Sequence, residues 1–179
     1  MAEKRTVVIE EKKGFSTGDL ILVAVLIAAG TVLKLLVGTY VNFFGMKPNF
    51  IIASYCLAIL LIRPKVWQGA IIGLITGAVC QFLPGTPYLN FISELLGAVC
   101  MCLMIRIPMK IKNIDVNPIV STFVSTVVSG GSFTICLFLF TEADISAMVA
   151  YVPIVLCTAV LNAIIVQILY IPLKKVLKK

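Results

Sequence analysis

The sequence has no histidine and few charges, since only 13% of its 179 residues are Asp, Glu, Lys or Arg. The lack of histidine removes the commonest general base and metal ligand. A soluble domain usually has about 25% charged and about 45–50% apolar residues, whereas this chain is 60% hydrophobic with a mean hydropathy of +1.09. Such hydrophobicity also excludes a disordered chain. The composition therefore indicates an integral membrane protein.

Motifs that carry chemistry are absent as well. The sequence has no Walker-type GxxxxGK segment for the phosphates of ATP, no HExxH zinc motif, and no evident inverted repeat like those of many secondary transporters. Its six cysteines all lie in apolar stretches, where small buried hydrophobic side chains are the simplest interpretation. We therefore expect no enzyme activity, no catalytic residue, no metal and no cofactor.

Six apolar segments approach the length of about 20 residues that a helix needs to cross a bilayer. They cover residues 18–38, 48–62, 66–83, 88–107, 117–140 and 146–173. The pattern predicts an all-α fold, namely an integral membrane bundle of six transmembrane helices. Residues 1–16 carry charges of both signs and form a predicted cytoplasmic N-terminal segment, which leaves residues 17–179 as one transmembrane, substrate-binding domain.

Basic residues predict the orientation in the membrane. Of fifteen Lys and Arg, thirteen fall on the side that holds both termini: Lys4, Arg5, Lys12, Lys13, Arg63, Lys65, Arg106, Lys110, Lys112, Lys174, Lys175, Lys178 and Lys179. Because cytoplasmic loops are enriched in Lys and Arg, both termini are predicted to be cytoplasmic in a multi-pass membrane protein. The basic residues form short clusters between apolar runs, so the lipid bilayer is an expected partner and nucleic acid is not.

Small residues recur every four positions in four of the segments. These stripes are Gly69, Gly73 and Gly77; Ser121, Ser125 and Ser129; Ala24 and Ala28; and Ala159 and Ala163. Such spacing lets helix backbones approach closely in lipid. We expect most of the stripes to pack inside the bundle, whereas Ala24, Ala28 and the neighbouring Ala29 offer a smooth patch on which an external partner can dock.

Ionisable residues inside a membrane segment indicate a functional site, because their burial is costly unless they are paired or hydrated. Lys34, Lys47 and Glu94 all fall near the outer ends of predicted spans. Polar and aromatic residues close to them in sequence complete the predicted substrate site: Tyr40, Asn42, Phe44, Asn49, Tyr88 and Asn90. Two cations, one carboxylate and several aromatic rings suit a zwitterion with an apolar or aromatic side chain.

Each of these residues also has an ordinary structural alternative. Lys34 can snorkel to the outer lipid headgroups, and Glu94 can pair with a lysine as a structural bridge. The aromatic residues can form a belt at the membrane interface.

Two short motifs carry a resemblance to a known family. Gly45-Met46-Lys47-Pro48-Asn49 opens the second span, and Arg63-Pro64-Lys65 precedes the glycine-spaced third span. Together with six short helices and an outer polar pocket, they resemble the substrate-binding S-components of energy-coupling factor (ECF) transporters. More specifically, they are similar to the bacterial tryptophan-transporter S-component family, in which an acidic residue typically stands at the position of Asn49.

The resemblance implies a substrate-binding subunit of an ECF-type importer in a bacterial cell membrane. Such a subunit captures its substrate, here tryptophan or a similar small molecule, near the outer surface. It then docks through Ala24 and Ala28 onto a transmembrane coupling protein that works with two cytoplasmic ATPases, and it topples to release the substrate inside. For tryptophan, we predict that Lys47 binds the carboxylate and Glu94 binds the ammonium group.

Other functions are also compatible with the sequence. One is an S-component for another aromatic small molecule or for a vitamin of the riboflavin, thiamine or niacin type. A stand-alone membrane channel, or a membrane enzyme or receptor subunit, is a more distant alternative. Uptake that needs no partner ATPase would favour the channel.

Overall fold

The computed structural model describes residues 14–40, 48–84, 86, 88–112, 114–141 and 145–177. Within these ranges the chain forms six helices, which are α1 (Thr17–Tyr40), α2 (Ile51–Ile62), α3 (Val66–Gln81), α4 (Leu89–Met104), α5 (Asn117–Thr141) and α6 (Ile145–Val176). Each helix matches one predicted segment, and no boundary differs by more than three residues. The helical architecture is therefore confirmed.

One element departs from the all-α prediction. Between α4 and α5, strands β1 (Lys110–Ile111) and β2 (Ile114–Asp115) form a small antiparallel pair. The turn between them includes Lys112 with a φ of 54°. Asn117, the first residue of α5, fixes this connection because its side-chain Nδ2 donates to the carbonyl oxygen of Ile107 at 2.7 Å. Two-residue strands carry too short a pattern to be read from sequence.

The helices fall into two length classes. Three are long and apolar enough to cross a membrane, over Thr17–Val37 in α1, Asn117–Phe140 in α5 and Met148–Val176 in α6. Helices α2, α3 and α4 have 12, 16 and 16 residues, so α2 is only about 18 Å long against a hydrocarbon core of about 30 Å. The crossing of the membrane by all six helices, with both termini cytoplasmic, stays a prediction.

Helix α2 lies at the centre of the fold. Ten of its twelve residues are buried, and it packs against α1, α3, α4, α5 and α6. A helix that is apolar on every face is stable only when other helices cover it. Because α2 is covered on all sides, the side chains that approach its first turn lie inside the bundle.

The glycine stripe of α3 packs against α4, as predicted for an internal contact. A Cβ at Gly73 would lie 2.7 Å from the carbonyl oxygen of Glu94, and a Cβ at Gly77 would lie 2.9 Å from the Cα of Phe91. A Cβ at Gly69 would collide with the side chain of Cys102. Real Cβ atoms do not approach backbone this closely, so the α3–α4 contact requires glycine.

The serine stripe of α5 is also internal. Ser121, Ser125 and Ser129 are at most 1% exposed, and Ser125 donates from Oγ to the carbonyl oxygen of Gly97 at 2.8 Å. Ala159 and Ala163 of α6 are likewise buried. In contrast, Ala24, Ala28 and Ala29 of α1 are exposed. Of the four stripes, the one on α1 is thus the one that the described residues leave uncovered.

Candidate functional site

A cavity of about 350 Å³ opens among the helices. This volume falls within the range of about 300–1,000 Å³ that is typical of small-molecule sites. The cavity is lined by Lys34, Asn49, Ile52, Pro84, Thr86, Asn90, Ser93, Thr126, Ser129, Gly130, Phe133, Leu137, Tyr151, Ile154, Val155 and Thr158. Every helix except α3 contributes to this lining, together with the segments that precede α2 and α4.

Glu94 supplies a carboxyl group directly behind the cavity wall. It lies on α4 and is 0% exposed. Asn49 donates from Nδ2 to Glu94 Oε1 at 2.5 Å, and Ser129 donates from Oγ to Glu94 Oε2 at 3.3 Å. A buried carboxyl group without such partners would be strongly destabilising. Because Asn49 and Ser129 both line the cavity, they separate Glu94 from it by one layer of side chains.

Lys34 brings a positive charge to the same side of the cavity. It lies on α1, is half-buried, and its Nζ is 3.9 Å from the Sγ of Cys80. Lys34 lines the cavity together with Asn49, the hydrogen-bond partner of Glu94. A cation and a carboxyl group thus lie on one wall, which we call the polar wall and define by Lys34, Asn49, Asn90, Glu94 and Ser129.

Asn162 ties the polar wall to α6. It is fully buried, and its Nδ2 donates to the backbone carbonyl oxygen of Asn49 at 3.1 Å and to Thr126 Oγ1 at 3.5 Å. This side chain therefore links the segment before α2 with α5 and α6, as expected for interhelical hydrogen bonding. The side-chain Oδ1 of Asn49 is buried without a hydrogen-bond partner among the described residues. It is therefore an unused acceptor next to Glu94.

A second part of the lining is mainly apolar and comes from α5 and α6. We call it the α5–α6 wall, and its members are Thr126, Gly130, Phe133, Leu137, Tyr151, Ile154, Val155 and Thr158. The two helices approach closely at Gly130, where a Cβ would lie 2.8 Å from Val155 Cγ1. Phe133 and Tyr151 place two aromatic rings on this wall, which suits a ligand with a flat apolar part.

The structure brings together some of the predicted site residues. Lys34, Asn49 and Asn90 line the cavity, and Glu94 lies directly behind it. Tyr40 and Tyr88 do not line the cavity and are 88% and 75% exposed. The predicted residues Asn42, Phe44 and Lys47 lie outside the described residues.

Sequence reasoning missed the α5–α6 wall. Thr126, Gly130, Phe133 and Leu137 follow one face of α5 at spacings of three and four residues, and Tyr151, Ile154 and Thr158 do so on α6. This periodicity is also that of an ordinary packed face. Each of these two faces also carries a polar threonine, Thr126 on α5 and Thr158 on α6, and this was the available signal.

In the described part of the chain, no group of three or more His, Cys, Asp or Glu residues is placed to hold a metal ion. The six cysteines are all free. The arrangement therefore offers hydrogen bonds, one cation, one carboxyl group and apolar contacts, which serve binding.

Three long apolar helices, three shorter ones and a ligand-sized cavity with a polar wall and an apolar wall are the features of a helical membrane protein with room for a small molecule. The comparisons with known proteins make this class specific. The model of the family described as "Tryptophan transporter TrpP" matches residues 16–178. The chain belongs to this tryptophan transporter family, which confirms the resemblance seen in the sequence.

A curated relative supports the same assignment. The "Probable tryptophan transport protein" of Clostridium acetobutylicum is 30% identical over 160 residues, which cover 87% of this chain and 91% of the relative. No solved structure matches the chain significantly. Family membership and the apolar helices together place the protein in a membrane.

Proposed function

We propose that this chain is the substrate-binding subunit of an ECF-type importer and that it captures tryptophan in the cavity described above. The observation that carries the proposal is the division of the cavity into a polar wall and an apolar, aromatic wall. An amino acid with a large aromatic side chain has the same division, with two charged groups at one end and an apolar ring at the other. The family and the curated relative support tryptophan as that amino acid.

The polar wall is proposed to hold the two charged groups. The ammonium group binds in front of Glu94, where Asn49 Oδ1 is an acceptor without a partner among the described residues, and the carboxyl group of Glu94 acts from one layer of side chains behind. Lys34, and Lys47 from the segment before α2, bind the carboxylate. In a site shielded from water, such charge-assisted hydrogen bonds are about twice as strong as neutral ones.

The aromatic end of the ligand is proposed to rest on the α5–α6 wall. Phe133 and Tyr151 both face the cavity, and aromatic pairs contribute about 0.5–1.5 kcal/mol beyond the burial of their area. Ile154 and Val155 complete an apolar surface around the ring.

Transport then requires partners, because the sequence carries no ATP-binding motif of its own. The proposed partners are a transmembrane coupling protein and two cytoplasmic ATPases. Helix α1 is the proposed docking surface, because its apolar stretch is the least buried of the three long helices, at 17% against 22% in α5 and 39% in α6. Ala24 and Ala28 are exposed on it, and small residues favour close approach of another helix. In this arrangement all six helices cross the membrane, both termini are cytoplasmic, and the subunit topples to release its substrate inside.

The first test is ligand binding to the purified full-length protein in detergent. Calorimetric titrations with tryptophan, riboflavin, thiamine and nicotinate should show binding of tryptophan alone. Calorimetry or radiolabelled ligand is preferable to fluorescence, because the exposed Trp67 contributes its own signal. Binding of one of the three vitamins in place of tryptophan would reassign the substrate.

The second test concerns the polar wall. Glu94→Gln and Lys47→Ala should each weaken tryptophan binding by about tenfold or more, because each removes one charged partner of the ligand. Lys65→Ala is a matched control, since Lys65 is exposed at the start of α3 and does not line the cavity. Unchanged binding in both Glu94→Gln and Lys47→Ala would show that the charged groups of tryptophan bind elsewhere.

A further inference from the structure

The serine and threonine hydroxyl groups that line the cavity from α5 and α6 share one property, which is that each already donates its hydrogen. Thr126 Oγ1 donates to the carbonyl oxygen of Thr122 at 2.8 Å, and Thr158 Oγ1 donates to that of Ile154 at 2.7 Å. Ser129 Oγ donates to Glu94 at 3.3 Å. A hydroxyl group has one hydrogen and two acceptor lone pairs. Towards a ligand in the cavity, these three groups can therefore only accept.

Thr158 is the member of this set whose acceptor capacity is free. Thr126 Oγ1 already accepts a hydrogen bond from Asn162 Nδ2 at 3.5 Å, and Ser129 Oγ is hydrogen-bonded to the carboxyl group of Glu94. Among the described residues, no donor is bonded to Thr158 Oγ1, and the residue is buried at 6% exposure while lining the cavity. A ligand that donates a hydrogen bond would satisfy this oxygen.

Thr158 and the charged groups lie on different helices. Lys34 lies on α1 and Glu94 on α4, whereas Thr158 lies on α6 beside the apolar residues Ile154 and Val155. An amino acid whose charged end is held at the polar wall presents its side chain to α5 and α6. The group that meets Thr158 is therefore on the ring of the ligand.

We propose that Thr158 accepts a hydrogen bond from the indole N–H of tryptophan and thereby selects an indole over other aromatic rings. The proposal rests on the proposed function, because it takes tryptophan as the substrate. An indole nitrogen is a donor only, which matches an acceptor-only oxygen. A phenyl ring has no donor and leaves the oxygen unpaired, and a site built around a hydrogen bond rejects ligands that lack it.

The test compares two ligands of nearly equal shape on the full-length protein. L-Tryptophan is compared with L-3-benzothienylalanine, in which sulfur replaces the ring N–H. The wild type should bind tryptophan about tenfold more tightly, as expected for one buried hydrogen bond. Thr158→Val should reduce this ratio to about one by weakening tryptophan binding while leaving binding of the sulfur analogue unchanged. Thr158→Ser keeps the oxygen and should restore the ratio.

Thr76→Val is the matched control. Thr76 is fully buried and makes the same type of bond, from Oγ1 to the carbonyl oxygen of Ile72 at 2.7 Å, but it lies on α3 and does not line the cavity. In Thr76→Val, the ratio of the affinities for tryptophan and the sulfur analogue should equal that of the wild type.

The outcomes separate the two proposals. A wild type that binds no tryptophan refutes the proposed function itself. A wild type that binds tryptophan and the sulfur analogue equally overturns the role of Thr158 and leaves the function standing, and this measurement needs no variant to fold. The role is also overturned if Thr158→Val weakens both ligands equally, or if it leaves the ratio of the wild type unchanged.

Discussion

Helices α1 and α3 carry small residues at the same spacing but use them in opposite ways. On α3, Gly69, Gly73 and Gly77 lie against α4, and at Gly73 and Gly77 the backbones are so close that no Cβ fits. On α1, Ala24 and Ala28 are exposed among large apolar side chains. The comparison teaches that small-residue spacing permits a close helix contact without saying whether the partner helix belongs to the same chain.

Helix α1 also has a small residue, Gly30, on the face that packs inside the bundle. Gly30 lies against the first turn of α2, where a Cβ would lie 2.8 Å from that of Ser54 and 3.2 Å from the Cα of Ile51. Val23 and Ile27 are buried on the same face. One face of α1 is thus fixed to the bundle, while the face with Ala24 and Ala28 is exposed.

The largest effect is expected on α3. Gly73→Leu places a side chain where the carbonyl oxygen of Glu94 is 2.7 Å from even a Cβ, so α3 and α4 must separate. Overpacking of this kind costs about 3 kcal/mol or more, and it also displaces Glu94. We expect little monodisperse protein in detergent and no tryptophan binding, as measured by size-exclusion chromatography and calorimetry.

Gly131→Leu is the control for this substitution. Gly131 is a helical glycine of α5 with nothing within 4 Å of its ideal Cβ, and replacement of a helical glycine adds about 0.8–1 kcal/mol of helix propensity. The protein should stay folded and bind tryptophan. Equal behaviour of the two leucine variants would show that the α3–α4 contact does not depend on its glycines.

The second effect concerns α1 and separates transport from binding. Ala28→Trp places a bulky ring on the exposed patch, where nothing in the bundle is displaced but a docking helix can no longer approach closely. Tryptophan uptake by cells or proteoliposomes that contain the complete importer should be abolished. Equilibrium binding to the isolated subunit should equal that of the wild type.

Leu36→Trp tests whether the position or merely the bulk matters. Leu36 is on the same exposed side of α1, about 12 Å further along the axis than Ala28, and is 61% exposed, so a tryptophan there adds the same bulk about two turns from the alanine patch. Uptake should continue. Loss of binding in Ala28→Trp would instead make the alanine patch an internal packing feature, and the contrast between α1 and α3 would disappear.

Much of this fold was predictable because membrane helices are defined by composition over long windows. All six helices were located to within three residues, since apolar runs end at charged or Gly- and Pro-rich segments. The spacing of Gly69, Gly73 and Gly77 predicted close packing. The same spacing at Ala24 and Ala28 did not distinguish a covered face from an open one, because burial depends on which helices lie nearby in space.

The site was predictable on one side only. Lys34, Asn49 and Glu94 stand out because polar groups are rare in apolar helices, and the structure places them together. Phe133 and Tyr151 carry no such signal, because aromatic residues are common on any packed face. Tyr40 and Tyr88 were included for their proximity in sequence, but neither lines the cavity. Residues that are close in sequence lie at a similar level along the helices. Proximity in sequence does not show in which direction a side chain points.

The smallest effect is expected from the serine stripe of α5, where the internal contact depends on a hydrogen bond and not on steric fit. Ser125→Ala removes the bond from Ser125 Oγ to the carbonyl oxygen of Gly97 and the acceptor that Cys56 uses at 3.4 Å. The loss should be about 1 kcal/mol, or about 2–4 °C in Tm for a chain of this size. Thermal unfolding in detergent measures it. Ser132→Ala is the control, because Ser132 is half-buried and donates only to Val128 of its own helix at 2.6 Å.

A Tm that falls equally in Ser125→Ala and Ser132→Ala would show that interhelical and intrahelical serine bonds contribute alike. If the Tm falls only in Ser125→Ala, and by less than in Gly73→Leu, the glycine contact between α3 and α4 contributes more to stability than the serine hydrogen bond between α5 and α4. Backbone approach at glycine would then be the stronger constraint, because a colliding Cβ forces two helices apart, whereas a missing hydroxyl leaves their packing in place.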